Sequence, residues 1–344
     1  MIDSIKKLIS INNIMIIDIY NRKDASKLNI NWADIYYTPS YGKLSEITDR
    51  GLWEVCIGRD ENNKDDILIY YVYIKRPVIY QEQTYYDLTT PYGYSGLWTN
   101  DNKYIDKFRE LFEKYALDNH YICEFIRYNP YLLNYINDNM ILSRKTYGIL
   151  LKDYDTNNLS SRNKYSIKKA IKDNYFFNIK KFSQLDSTHN SQFRKLYDQN
   201  MISKNASKYY LFNDQYFDLL TKLDDIYIAT VSYLDNYIGF AIFIVYNKNI
   251  HYHLACNMKG YKNISNYMLD RVAVWAKTNN LELLHLGGGV TSDDSLDKFK
   301  RSISNVEYNY FYEKKIINKY IYNDLSSKFN NNNPNYFPAY RSAI

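Results

Sequence analysis

Residues 226–289 read IYIATVSY-LDN-YIGFAIFIVY-NKN-IHYHLA-CNMKGYKNIS-NYMLDRVAVWAKT-NN-LELLHL-GGG, broken here where the pattern changes. Three apolar, β-branched runs at 226–233, 237–246 and 250–255 are joined by two short polar turns, which predicts an antiparallel meander. A loop containing Gly260 follows. Residues 266–278 then carry apolar side chains at helical spacing. Residues 281–286 predict a short buried strand that three glycines cut off. Residues 294–304 predict a helix and 308–314 a last strand. A meander followed by helix, strand, helix and strand makes a mixed α/β unit.

The same order occurs upstream. Residues 51–59 and 67–75 predict a hairpin, with Pro77 as its stop. A loop rich in Tyr and Gly spans 81–100. Residues 103–115 predict a helix, 120–127 a strand, 130–137 a short helix and 141–151 another strand. The chain therefore predicts two related units in tandem, 1–152 and 153–325, with a basic linker helix at 159–173 and a loosely held, low-complexity tail at 326–344.

Composition is compatible with this. At roughly 100–200 residues per domain, 344 residues predict two domains. Charged residues are 24% and hydrophobic residues 46%, which excludes disordered and collagen-like chains. The formal charge of +6 permits an anionic substrate without requiring nucleic acid. The 40 Tyr against 11 Gly fit a preference for A/T-rich codons, or else stacking surfaces for sugars or bases. Cys56, Cys123 and Cys256 stand alone, so neither a disulfide framework nor a zinc site is expected, and no metal. Lys6 and Lys7 precede a stretch too polar for a signal peptide, and no run is long enough for a membrane helix. A cytoplasmic protein is the expectation, with peripheral contact at the inner face of the membrane as a variant of it.

Several motifs stand in a telling order. Asp87-Leu-Thr-Thr-Pro-Tyr-Gly-Tyr-Ser-Gly96 is followed by Cys123-Glu-Phe-Ile-Arg-Tyr-Asn-Pro130 and Ser161-Arg-Asn-Lys-Tyr-Ser-Ile-Lys-Lys-Ala170. Then come His251-Tyr-His-Leu-Ala255, His285-Leu-Gly-Gly-Gly289 and Asp294-Ser-Leu-Asp-Lys-Phe-Lys-Arg301. Together they resemble the FemA/FemB-like branch of the GNAT acyltransferase superfamily over about residues 30–325. The resemblance implies two tandem GNAT-like domains with an acceptor cleft between them. It implies acyl transfer onto an amine, either from acetyl-CoA to amino sugars of envelope polysaccharides or from aminoacyl-tRNA to peptidoglycan precursors. The long helical arm of larger members is absent from the pattern. The usual pyrophosphate loop, Arg/Gln-x-x-Gly-x-Gly/Ala, is reduced here to Gly260 with Lys259 and Lys262 nearby.

Acyl transfer needs a proton acceptor, an oxyanion site and a seat for a phosphate-bearing donor. The loop from Asn257 to Ser265 lies at a strand-to-helix junction, where free N–H groups can meet phosphate. An ordinary β–α connection is the alternative. With the preceding strand this gives Ala255, Cys256, Lys259, Gly260, Lys262 and Ser265 as donor-site candidates. His251 and His253 share one face of a strand. His253 is a candidate base, against a plain core histidine. His285, at a glycine-terminated strand end, is a second candidate, and Gly287 and Gly288 would admit substrate there. Asp294 is either a helix cap or a carboxylate for the acceptor amine. Lys298 and Arg301 share one side of the next helix and could hold an acceptor phosphate, or be a solvated face. Through the resemblance, Asp87, Tyr92, Tyr94 and Ser95 would bind a sugar, with Arg127 pairing Asp87 or a phosphate. The basic helix carries Lys164, Lys168 and Lys172 on one face, open to tRNA or anionic lipid.

The function expected is therefore acetyl-CoA-dependent N-acyl transfer to an amino sugar of a nucleotide- or lipid-linked glycan, with no DNA partner. Main-chain N–H groups near His253 and Cys256 would steady the oxyanion. The rivals are aminoacyl-tRNA-dependent transfer and a non-catalytic glycan- or protein-binding GNAT fold.

Overall fold

The computed structural model describes residues 15–328 and 336–342. The leader reading concerns Lys6 to Asp18; its residues up to 14 lie outside that range, and the rest begin the first strand. Two compact units are present. The first comprises residues 1–143 and 311–344, the second 144–310. The chain thus returns to the first unit after Tyr310, where the sequence reading ran the second domain to 325.

The first unit starts with β1 (Met15–Asn21), α1 (Arg22–Ala25) and α2 (Pro39–Asp49). It continues through β2 (Leu52–Asp60), β3 (Asn63–Tyr80), β4 (Gln83–Thr89), β5 (Gly96–Thr99), α3 (Ile105–Asp118) and β6 (Tyr121–Arg127). Strands β1 to β4 pair antiparallel in order, and β4 pairs β6 in parallel, with α3 in the crossover. The hairpin reading at 51–75 holds, but β3 runs past Pro77 to Tyr80. Pairing with β2 stops at Lys75, so Pro77 stands where the β2-side ladder is already over and its missing N–H costs nothing. The expected loop at 81–100 contains β4 and β5. Residues 130–132 form a turn and 133–137 run on irregularly instead of forming the expected helix; the Asn129 side chain accepts from the N–H of Tyr131 at 3.2 Å and starts that turn. Phe108, Phe112 and Ala116 of α3 are buried against Tyr71, Tyr121 and Ile126.

The second unit contains most of β7 (Met140–Leu150). Then come α4 (Ser161–Lys172), β8 (Phe176–Lys181), α5 (Ser187–Ser203), α6 (Asp214–Leu220), β9 (Ile226–Tyr233), β10 (Asn236–Tyr246) and β11 (Asn249–Asn257). α7 (Ile264–Thr278), β12 (Leu283–Gly287), α8 (Ser295–Ile303) and the start of β13 (Val306–Ile316) follow. Helix α9 (Lys319–Ser327) belongs again to the first unit. Strands β8, β9, β10 and β11 pair antiparallel, β11 pairs β12 in parallel, and β12 pairs β7. Every element predicted from residues 226–304 is present to within a few residues. β9, β10 and β12 are largely apolar because most of their length is buried on both faces. Helix α4 is tied to its neighbours by Asn163, which donates to Ser302 O at 2.7 Å and accepts from Asn266 at 2.9 Å.

The tail is less loose than its composition predicts. Tyr340 is buried, and it donates to Asp87 Oδ2 at 3.1 Å. Arg341 pairs with the same oxygen at 2.6 Å. Residues 329–335 and 343–344 of that tail lie outside the described range.

Candidate active site in the second unit

The parallel ladder of β11 and β12 is short. It pairs Asn249 with Leu283, Ile250 with Leu284 and His251 with His285, and then stops. Strand β11 runs on to Asn257 beside β10, so among the described residues its pairing with β12 ends at His251 while the strand itself continues. The β10 register slips between Ile242–Leu254 and Phe243–Tyr252, which makes His253 the extra residue of a β-bulge. Sequence reading placed the two histidines on a regular strand and missed the bulge.

Past the end of β11 the chain turns through 258–262 into α7. Gly260 has φ 99° with open space where a Cβ would stand, so its backbone is accessible to a ligand. Asn263 takes φ 66° at the cap, and its side chain accepts none of the first-turn N–H groups of α7. A cavity of about 230 Å3 opens there, lined by Asn257, Tyr261, Asn263, Ser265, Asn266 and Phe299 among others. Ser265 accepts from Asn257 Nδ2 at 2.8 Å. Asn200 of α5 fixes the main chain of Asn257, accepting its N–H at 3.2 Å and donating to its carbonyl at 3.1 Å. Lys259 and Lys262 are exposed on this loop. Aligned N–H groups, two cations and an accessible glycine suit a phosphate-bearing group. Cys256 is buried, with its Sγ on the Phe193 carbonyl at 3.9 Å, and burial raises its thiol pKa.

The two histidines are poorly suited to collect a proton. His253 Nε2 and the Tyr216 hydroxyl are 2.6 Å apart. The residue is partly exposed, and burial with His251 nearby pushes its imidazole down to about 3. His285 is 2% exposed, with Nε2 at 3.2 Å from the Thr146 hydroxyl. Burial first, then His251 and Lys300, hold it well below the ordinary imidazole value. Both rings are neutral at pH 7 and reluctant to charge.

Asp294 caps α8. Its Oδ1 accepts from Asp297 N at 2.7 Å, and its Oδ2 accepts from Val290 N at 2.7 Å and Thr291 N at 2.9 Å. Partial burial opposes its charge, but these main-chain donors keep the carboxyl below its usual value. Both oxygens are committed. Asp294→Ala and Asp294→Asn are each expected to destabilise the protein by about 1 kcal/mol or more, Asn because its amide nitrogen cannot accept the N–H bonds that one carboxylate oxygen takes. Urea unfolding of the two variants checks this, and an Asn variant that unfolds normally but loses all activity would contradict it.

Of the two α8 cations expected at an acceptor phosphate, Arg301 is paired with Asp293 and Asp297. Lys298 is exposed and forms no ion pair among the described residues. Lys300, between them, is the residue that sequence reading passed over. It is 8% exposed. Its Nζ donates to the carbonyl of Gly288, just past the end of β12, at 2.8 Å. The same Nζ lies 5.8 Å from the ring centre of Tyr252, the first β11 residue beyond the ladder. It therefore bridges the two strands where they part. Burial pushes its ammonium down to about 7, Arg144 adds to the fall, and Asp294 and Asp297 oppose it. Gly288 has no room for a side chain, since a Cβ would stand 2.7 Å from the Lys145 carbonyl.

The candidates of the first unit are largely engaged. Asp87 is fully buried and held by Arg76, Tyr340 and Arg341, not by Arg127. Arg127 donates to the Thr90 hydroxyl at 3.1 Å and the Thr89 hydroxyl at 3.3 Å. The Ser95 carbonyl accepts from the Tyr37 hydroxyl at 2.7 Å. Tyr92 and Tyr94 are half-buried, and the Tyr92 carbonyl accepts from Tyr41 at 2.8 Å. No cluster of three His, Cys, Asp or Glu that could hold a metal occurs among the described residues. No helix among them is long and apolar enough to cross a membrane.

No family model and no curated relative matches the chain. Solved structures do. FemX superposes with a TM-score of 0.64 at 11% identity, covering 90% of this chain and 99% of its own. The C-terminal domain of a putative lysylphosphatidylglycerol synthetase from Agrobacterium fabrum gives 0.58 at 12% identity, covering 86% and 91%. L-PGS from Bacillus licheniformis gives 0.55 at 12% identity, covering 73% and 82%. The chain has the fold of these proteins, the FemAB-like, GNAT-type acyltransferase fold that its motifs resemble.

Proposed function

We propose that this protein is an N-acyltransferase that takes its acyl group from acetyl-CoA. The acceptor is the amine of an amino sugar in a nucleotide- or lipid-linked glycan. The observation that carries the reading is the opening between β11 and β12, with Lys300 across it. The donor's phosphates would lie on the first-turn N–H groups of α7, near Lys259 and Lys262. Its thioester would reach along the stretch of β11 beyond the β12 ladder, where main-chain N–H groups can meet the oxyanion.

The bound donor supplies an activated acyl carbonyl and a thiolate leaving group. The acceptor nitrogen attacks that carbonyl, the C–N bond forms and the C–S bond breaks. One proton of the acceptor ammonium goes to neutral Lys300 Nζ, which a lysine titrating near neutrality can accept, and the second leaves the nitrogen after attack and ends on the thiolate, which departs as the thiol. His253 and His285 serve in this scheme as fixed neutral groups that shape the opening. Lys298 is the cation available to an acceptor phosphate.

Transfer of labelled acetyl from acetyl-CoA to a panel of nucleotide-linked amino sugars tests the reading. Lys259→Glu combined with Lys262→Glu is expected to raise the donor KM about tenfold with kcat little changed, since both residues would bind donor and transition state alike. A second reading, aminoacyl transfer from tRNA, is favoured by the reduced loop, where only Gly260 of the usual glycine pattern remains. Product formed only from aminoacyl-tRNA, with binding that falls steeply in salt, would replace the first reading by this one. Silence from both donors would leave the fold as a binding module.

A further inference from the structure

At the end of the second unit that carries the donor loop, apolar side chains stand out into water. Phe176 opens β8 and is 67% exposed. Leu234, on the β9–β10 turn, is 73% exposed, and Ile171, in the last turn of α4, is 50% exposed. They lie at one end of the unit. Phe176 pairs with Ser232, two residues before Leu234, and Tyr175 donates its N–H to the α4 carbonyl of Ala170 at 3.0 Å. Beneath them, Tyr233 bridges Tyr175 and Tyr261, with ring centres 5.9 and 6.0 Å apart, which ties in the loop that carries Lys259 and Lys262.

Charge accompanies this surface. Lys168 and Lys172 lie one turn apart on the exposed face of α4 and form no ion pair among the described residues. Of the nearby acids, Asp173 is paired with Lys169, and Asp235 sits on the turn beside Leu234. Exposed aliphatic and aromatic tips with lysines to one side fit an interface with acyl chains below and phosphates above. A nucleic acid would use the lysines and stack on the phenyl ring, but Ile171 and Leu234 would gain nothing from it.

We propose that this end of the second unit docks on an anionic lipid bilayer, with Phe176, Leu234 and Ile171 entering the headgroup boundary and Lys168 and Lys172 facing lipid phosphates. This goes beyond the acyl-transfer reading, and its test reads binding and no chemistry. The full chain is sedimented with vesicles of phosphatidylcholine alone, and with vesicles of phosphatidylcholine and phosphatidylglycerol in equal parts. Binding to the anionic vesicles only is expected, weakened by salt. Lys168→Glu with Lys172→Glu should weaken it by about tenfold or more. Phe176→Ser with Leu234→Ser should weaken it by about tenfold while leaving every charge in place. All four positions are exposed, so the variants are expected to melt with the wild type. Absence of binding to anionic vesicles would overturn the proposal. So would vesicle binding indifferent to the Phe176 and Leu234 pair, or an RNA affinity lost with the lysines and unchanged by that pair, which would make this a nucleic-acid surface.

Discussion

Lys300→Met is expected to lower kcat by about a hundred- to a thousand-fold with little change in donor KM, because it removes the proton acceptor from the reacting centre and leaves the donor seat intact. Lys300→Arg separates the base from a mere positive charge. A guanidinium stays protonated throughout the accessible pH range. The Arg variant is therefore expected to be about as inactive as the Met variant. An Arg variant close to wild type would mean that the charge alone matters. The kcat of the wild type should rise with pH through about 7, as Lys300 becomes neutral.

The same lysine predicts a stability signature. Its folded-state pKa lies below its unfolded value, so between about 7 and about 10.4 the unfolded chain binds more protons. Stability attributable to Lys300 then increases as pH rises through that window. Lys300→Met abolishes this slope, which amounts to a few kcal/mol across the window. Parallel urea titrations of the two proteins at neutral and alkaline pH measure it.

Asp87→Asn is expected to destabilise the first unit by about 3–5 kcal/mol, since it strands two guanidinium groups around one buried position. Arg76 and Arg341 both lie at 2.6 Å from this carboxylate, and its own exposure is nil. The loss should release the C-terminal segment, where Phe337 stacks on Tyr322 with ring centres 5.6 Å apart. Transfer activity of the folded fraction should be little changed. If Asp87 instead binds the acceptor, the variant would keep its stability and show a raised acceptor KM.

Residues differ in how openly they announce these roles. β9 to β12 are legible because long apolar runs between polar turns admit few other readings. β4 was missed because Gln83-Thr-Tyr-Tyr-Asp87 mixes exposed polar positions with aromatic ones. β1, α2, α5 and α6 lack strong periodicity and owe their form to packing. The histidines were legible as titratable groups, but burial, which sets their protonation, depends on α6 and on Thr146 of β7, far away in sequence. Lys300 carried a usable signal. Asp297, Lys300 and Ile303 form one buried ridge of α8, so a lysine sits on the side where apolar residues belong. Asp294 was readable as a cap from its place before the helix, and its two oxygens bear that out.

Backbone hydrogen exchange in the presence of acetyl-CoA tests the central claim most directly, because it reads the site without requiring the acceptor. Slowed exchange is predicted at the loop residues 257–263 and the first turn of α7 around Ser265 and Asn266, and along residues 252–256 of β11. Pantetheine, which lacks the phosphates, should leave the α7 turn unchanged. Unaltered exchange at the α7 turn under saturating acetyl-CoA, or protection confined to other elements, would contradict the account.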